Sequence, residues 1–334
     1  MSFAGKTVLV TGGGGFLGGA IVRELLQKGA EVHTFSRQKY AELEALNVRQ
    51  HQGALNDLAA VTKAANACDM VFHVAAKAGI WGPYSDYHET NVVGTENIIQ
   101  ACRQHGIGKL IYTSSPSVVF NGADMEGVNE SVPYPKHYHA YYPQTKATAE
   151  KKVIAANDNQ LATVSLRPHL IWGPGDNHLV PRIIAKGKAG QIRRIGTRDN
   201  LVDSIYIDNA AEAHLLAAEK LAPGTAVAGR TYFISQDEPV SVWELIDRIL
   251  HAGGVPPVSK TISPGLAYFA GCMCELIYNA FAFKSEPRMT RFVAKELSTA
   301  HWFDISAAKR DFGYVPKVSI DEGLKRLADH LRKQ

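Results

Sequence analysis

Lys6-Thr-Val-Leu-Val10-Thr11-Gly12-Gly13-Gly14-Gly15-Phe16-Leu17-Gly18 is an apolar, β-branched run that meets four glycines and then opens a segment with apolar residues at Phe16, Leu17, Ala20, Ile21 and Leu25. The run from Lys6 to Val10 reads as a buried strand, the glycines as a turn, and the segment from Phe16 onward as a helix packed on a sheet. That order presents backbone N–H groups at a helix N-terminus with no side chains over them, where the dipole favours a pyrophosphate. Two registers are open: Gly13, Gly15 and Gly18 as GxGxxG, or Gly12, Gly15 and Gly18 as GxxGxxG. Taken alone, the cluster also reads as a flexible turn.

The second strand, Glu31 to Phe35, ends in Ser36 and Arg37. An NAD-specific site usually carries Asp or Glu here to accept from the ribose 2′-hydroxyl. A hydroxyl and a guanidinium instead suit a 2′-phosphate, so NADP(H) is favoured over NAD(H). The competing reading of Arg37 is a solvated loop residue.

Tyr142 and Lys146 lie at i and i+4 in Tyr141 to Asn157, a helical segment rich in Ala, Lys and Glu. The spacing puts both side chains on one face, where an ammonium can lower the pKa of a phenol that exchanges a proton with a carbonyl or alcohol oxygen. Upstream, Leu110 to Thr113 reads as another buried strand, ending in Ser114-Ser115-Pro116-Ser117. A hydroxyl at the carboxyl end of a parallel strand faces the ligand crevice; Ser115 is the first choice and Ser117 the second. Without the Tyr/Lys pair, a serine there reads as a turn former.

With Thr-Gly-x-x-Gly-x-x-Gly, Tyr-x-x-x-Lys and the upstream serine, the chain resembles the extended branch of the short-chain dehydrogenase/reductase superfamily along nearly its whole length. Tyr112-Thr-Ser-Ser115, Tyr142-Pro-x-x-Lys146 and Tyr206-Ile-Asp208 narrow the resemblance to the 3β-hydroxysteroid dehydrogenase-like group. Ala75 to Gly82, Pro135 to His139 and Ser298 to Phe303 look most like the branch that reduces 2-alkyl-3-oxoalkanoic acids in bacterial long-chain olefin biosynthesis.

The resemblance implies Ser115, Tyr142 and Lys146 as the catalytic set. It implies cofactor contacts at Gly12, Gly15, Phe16, Leu17 and Gly18, at Ser36 and Arg37, and at Ala54 and Leu55. It adds contacts at Ala75 and Ala76, at Asn91, at Tyr142 and Lys146, and at Pro168 and Leu170. Trp81, Ser117 and His139 are the candidate substrate contacts. The family's adenine-binding Asp is replaced by Ala54, which moves that contact to Asn56, Asp57 or the backbone. A homodimer through the helices around Asn91 to His105 and Tyr142 to Asn157 is also implied. Alternatives are a steroid or sterol-4-carboxylate dehydrogenase, a nucleotide-sugar epimerase or dihydroflavonol-type reductase, and a non-catalytic dinucleotide sensor.

At 334 residues and 46% hydrophobic, the chain can bury a large core. Alternating strands and helices imply an α/β fold, a Rossmann-type doubly wound parallel sheet with a smaller, interleaved C-terminal substrate domain. The expected division is 1–173 with 201–221 for the dinucleotide domain and 174–200 with 222–334 for the substrate domain. A net charge of +4 with scattered basic residues gives no nucleic-acid stripe. Cys68, Cys102, Cys272 and Cys274 show no metal or disulfide spacing, so reduced thiols and no metal are expected. His137 and His139 read as surface or pocket-rim histidines, or as contacts to a substrate carboxylate. The first strand starts too early for a signal peptide, which places the protein in the cytoplasm. Ile262 to Phe283 is strongly apolar but interrupted by Pro264, Glu275 and Asn279. It reads as a buried helix, as a lid over a hydrocarbon substrate, or as a face for a membrane or a pathway enzyme.

Overall fold

The computed structural model describes residues 3–281, 283 and 285–333. The opening run forms the strand Thr7–Thr11, the glycines turn, and the helix Phe16–Gln27 comes next. Glu31–Ser36 pairs on one side of that strand and Met70–His73 on the other, both parallel. Outward from Glu31–Ser36 lies Arg49–Gln52; outward from Met70–His73 lie Lys109–Thr113, Ala162–Pro168 and Arg230–Ile234, completing a seven-stranded parallel sheet.

Residue alternation along the strands assigns each side chain to a face. Val8, Val10, Phe72 and Ile111 join the core beneath the helices Phe16–Gln27 and Ile207–Lys220. Leu9, Val71, Leu110 and Tyr112 join the opposite core beneath Leu58–Ala65, Gly94–Gln104 and Tyr141–Ala155. Both faces are covered, as parallel strands require. Chain order reverses between Thr7–Thr11 and Met70–His73, so the ligand crevice opens beyond the carboxyl ends of those two strands.

The expected domain boundary shifts at two points. Arg230–Ile234, expected in the substrate part, is the edge strand of the main sheet; its β-branched and aromatic residues pack on Ala162–Pro168. Leu201–Val202, expected in the main sheet, instead joins a small four-stranded sheet with Val240–Ser241, His301–Phe303 and Met125–Val128. Two-residue strands carry too little periodicity to be seen in sequence.

The apolar stretch forms the helix Pro264–Ala280, started by Ser263, whose hydroxyl accepts from the Leu266 N–H at 3.2 Å. The buried-helix reading fails here: Phe269 is 62% exposed, Leu276 63% and Phe281 70%. The inner face keeps Ala267 and Gly271 because the backbone at Thr290–Arg291 comes so close that a Cβ at Gly271 would lie 2.7 Å from it. Among the described residues, no helix is long and apolar enough to cross a membrane.

Candidate active site

The glycine turn is built for close approach. Gly12 has φ +71°, a conformation that L side chains rarely adopt, and a Cβ on Gly18 would lie 2.1 Å from the Gly12 carbonyl oxygen. Helix and turn therefore touch through backbone alone. Gly15 is the N-cap of Phe16–Gln27 and has no side-chain cap, which leaves the first N–H groups of the helix facing the crevice. With no side chain at Gly12 to Gly15 to cover those N–H groups, the turn fits a dinucleotide pyrophosphate. At the end of the second strand the Ser36 hydroxyl donates to the Gln38 carbonyl at 2.7 Å, while Arg37 is exposed beside an equally exposed Lys39. Of the substitutes weighed for adenine contact, Asp57 caps the helix Leu58–Ala65 through the Ala60 N–H, and Asn56 donates to Glu89 at 3.3 Å. Ala54 is exposed, and buried Leu55 accepts from Asn97 through its carbonyl at 2.8 Å.

At the switch point a hydrogen-bond chain fixes the crevice floor. Thr95 Oγ1 donates to the Asn91 carbonyl at 2.7 Å and meets His73 Nε2 at 3.0 Å, while His73 Nδ1 meets Thr11 Oγ1 at 2.8 Å. Since Thr95 has given its proton away, His73 donates from Nε2 and accepts from Thr11 at Nδ1. Thr11 Oγ1 in turn accepts the Val74 and Ala75 N–H groups, both at 3.1 Å, which sets the segment carrying Ala75 and Ala76. Burial, with the Lys146 charge, pushes His73 down to about 3, so it is neutral and structural. Asn91 sits in a π-helical segment, His88–Val93. Its side chain accepts from the Lys77 N–H at 2.7 Å and donates to the Lys77 carbonyl and to Thr145 Oγ1, both at 3.1 Å. Both ends of the amide are engaged with protein, which fixes the segment around Lys77 against the catalytic helix.

Ser115 caps the short turn Pro116–Val119 and its hydroxyl lies 2.9 Å from that of Ser117, which is buried. Tyr142 stands in the first turn of Tyr141–Ala155, facing Ser115; burial pushes its phenol up to about 12 and the Ser115 hydroxyl pulls against that shift. Lys146, 2% exposed, donates to the Thr113 carbonyl at 2.6 Å and lies 4.1 Å from the centre of the Tyr112 ring. Burial pushes it down to about 7 and Glu150 pulls it back up. The expected lowering of the phenol by this lysine is thus corrected. The buried ammonium is directed at Thr113, and desolvation controls Tyr142.

One turn further, Glu150 extends the Tyr142, Lys146 stripe, which the sequence reading did not pursue. It is fully buried, accepts from Arg167 Nη2 at 2.6 Å, from Tyr134 at 2.7 Å and from Ser165 at 2.9 Å. Burial works against its ionisation, but the Arg167 charge, with hydrogen bonds from Arg167 and Tyr134, holds the carboxyl below its ordinary value.

Pro168 ends its strand, and Leu170 adopts φ +43°, an uncommon conformation for a branched residue. Trp81 donates from its indole to the Phe283 carbonyl at 3.1 Å and meets the Tyr278 ring edge-on at 5.9 Å. His139 is exposed, its ring 3.4 Å from the Asn121 carbonyl, so its contact is with a surface loop. Beyond Pro168, His169 Nε2 is 2.7 Å from His301 Nδ1, and His301 Nε2 is 2.9 Å from the Glu296 carbonyl, contacts that no sequence motif marked.

Residues 9–264 match the 3-beta hydroxysteroid dehydrogenase/isomerase family. The chain is 52% identical over 322 residues to a 2-alkyl-3-oxoalkanoate reductase of Stenotrophomonas maltophilia, covering 96% of this chain and 98% of that protein. It is 34% identical over 340 residues to the mouse sterol-4-alpha-carboxylate 3-dehydrogenase, decarboxylating, covering 98% and 92%. In fold it superposes on MoeE5, solved with UDP-glucose and NAD, with TM-score 0.74 and 24% identity, covering 98% and 99%. With the glycine cradle and the Ser115, Tyr142, Lys146 grouping at one switch point, the chain belongs to the 3-beta hydroxysteroid dehydrogenase/isomerase family, within the extended short-chain dehydrogenases/reductases.

Proposed function

We propose that this chain is an NADP(H)-dependent reductase that turns the ketone of a 2-alkyl-3-oxoalkanoic acid into the 2-alkyl-3-hydroxyalkanoic acid of long-chain olefin biosynthesis. The observation that carries this reading is the Ser115, Tyr142, Lys146 grouping in a chain 52% identical to a reductase of that substrate class. When bound, the reduced nicotinamide supplies the hydride. Ser115 orients the ketone oxygen. Tyr142, protonated at neutral pH because its phenol is pushed up to about 12, gives that oxygen its proton as the C=O π electrons move onto it. Lys146, held by the Thr113 carbonyl, would contact the nicotinamide ribose, and Asn91 positions the segment around Lys77. The glycine turn, with Phe16 and Leu17, would hold the pyrophosphate. Parallel assays of NADPH oxidation test the reading: a 2-alkyl-3-oxo acid is expected to be turned over and a 3-oxosteroid to be poor. Preference for the steroid would overturn it. A homodimer through the helices Gly94–Gln104 and Tyr141–Ala155, working in the cytoplasm, completes the proposal.

The exposed Arg37 guanidinium would meet the 2′-phosphate. Arg37→Ala is expected to weaken NADPH binding roughly 10- to 100-fold and to spare NADH, because a charge-assisted bond is lost. Calorimetric titration of both cofactors checks this, and equal losses would refute the NADP(H) assignment.

The Trp81 contact separates two aromatics of the helix Pro264–Ala280. Tyr278 packs on Trp81 and would cover the alkyl chain, whereas Phe269 faces outward. Each buried methylene contributes about 0.8 kcal/mol, so kcat/KM should climb with chain length over the first few carbons. Tyr278→Ser is expected to flatten that climb and Phe269→Ser to leave it; a profile already flat in the wild type would remove the helix from the pocket.

A further inference from the structure

We propose that Tyr112 is a positioning residue for the catalytic lysine: the face of its ring holds the Lys146 ammonium in a cation–π contact that keeps the charge in place at neutral pH. The inference rests on the part given to Lys146 in the reaction above, and it adds the group that seats a buried charge.

Tyr112 lies next to the end of the strand Lys109–Thr113 and is buried. Parallel pairing sets it in register between His73 on one side and Ser165 on the other, and the His73 ring centre is 5.5 Å from its own. His73 is fixed through Thr11 and Thr95, and Ser165 through Glu150, so the tyrosine has fixed neighbours on both sides. The helix Tyr141–Ala155 packs on this face of the sheet and brings Lys146 Nζ to 4.1 Å from the ring centre. A ring face attracts a cation out to about 6 Å, so the contact is well inside that range. Thr113, the next residue, offers its carbonyl to the same nitrogen at 2.6 Å. One strand end therefore supplies both a carbonyl and a π face to the ammonium.

Among the described residues the ammonium makes no other hydrogen bond. Glu150, on the same helix, pulls the Lys146 pKa up while its own oxygens accept from Arg167, Tyr134 and Ser165. The remaining groups on the packed elements are neutral or engaged elsewhere. Burial pushes His73 down and the Tyr112 and Tyr142 phenols up, so none of the three is charged near neutral pH. Glu96 of the helix Gly94–Gln104 is paired with Lys152. Burial meanwhile drives Lys146 down to about 7, the pH at which the lysine has to work. At that balance point, an attraction felt by the ammonium and not by the neutral amine decides how much of the lysine is charged.

The test varies the electron density of the ring at nearly constant shape. Tyr112→Phe keeps the π face, and replacing Tyr112 by mono-, di- and trifluorinated phenylalanine drains that face stepwise with little change in size. The readout is the pH at which kcat/KM for reduction of a 2-alkyl-3-oxo acid falls on the alkaline side, with Tm as the control for folding. Tyr112→Phe should keep that pH, and each added fluorine should lower it. Tyr112→Leu should lower it furthest, by about one pH unit, so that turnover drops roughly tenfold above the limb and returns below it. A limb that stays put through the fluorine series overturns the proposal. So does an equal loss at every pH in Tyr112→Leu, which would make the ring a packing group alone. Lys146→Met separates this inference from the reading beneath it. If the limb vanishes in that variant yet does not move along the fluorine series, the role of the ring is overturned and that of the lysine stands; if Lys146→Met keeps both turnover and limb, the role of the lysine is overturned and this inference falls with it.

Discussion

Tyr142→Phe is expected to lower kcat by at least about 100-fold while NADPH affinity stays nearly unchanged, because the ring remains and only the proton donor is lost. Burial works against ionisation of the phenol, the Ser115 hydroxyl favours it, and the net position is about 12. A phenol there is fully protonated at neutral pH, the form that reduction needs. Reduction should therefore show no loss from tyrosine ionisation as pH rises through neutrality. The reverse oxidation needs phenolate and should speed up with pH over the same range. Steady-state rates in both directions, with cofactor binding measured separately, check all three statements; near wild-type turnover in Tyr142→Phe would remove the residue from the acid role.

How much of this was readable from sequence depends on how local each feature is. The strand, glycine turn and helix from Thr7 to Gln27 were legible because the signal lies within one short segment: β-branched apolar residues, then Gly12 and Gly18 where no side chain fits. Tyr142 and Lys146 were legible as a pair one helical turn apart, and Ser115 as a hydroxyl at a strand end. The electrostatics were not. Whether Lys146 lowers the Tyr142 phenol depends on where the ammonium points, and the Thr113 carbonyl and Tyr112 ring, both on a neighbouring strand, decide that.

The rest of the site is assembled from parts far apart in the chain, and no motif marks them. His169 and His301 meet at 2.7 Å across 132 positions, and His301 in turn lies 2.9 Å from the Glu296 carbonyl at the end of the helix Arg291–Glu296. The edge strand Arg230–Ile234 was hidden for a related reason. It returns to the main sheet after an excursion through the smaller one, so position in sequence misassigned it. The helix Pro264–Ala280 misled in the opposite sense, since apolar composition suggested burial while the small residues Ala267 and Gly271 take the inner face and the large ones point out.

Glu150→Ala is expected to be the most destabilising change in the catalytic helix. It removes the carboxylate from a pair in which Arg167 is 2% and Glu150 0% exposed, leaving a buried guanidinium whose Nη1 already lacks a partner. Breaking such a pair from one side costs about 3–5 kcal/mol, which should appear as a fall in Tm of roughly 4–7 °C. Replacing both residues, Glu150→Met with Arg167→Met, should restore much of that stability, since no unpaired charge remains. Activity should not recover with it. Glu150 is the group that pulls the Lys146 pKa back up against desolvation, so without it the ammonium loses its proton at a lower pH than about 7. The double variant should then fold well yet lose turnover at neutral pH, with its activity limb displaced to more acidic values. Thermal unfolding beside pH–rate profiles separates the two effects. Recovery of both together would mean that Glu150 serves the fold alone, whereas recovery of stability without rate would tie this buried carboxylate to the charge of Lys146.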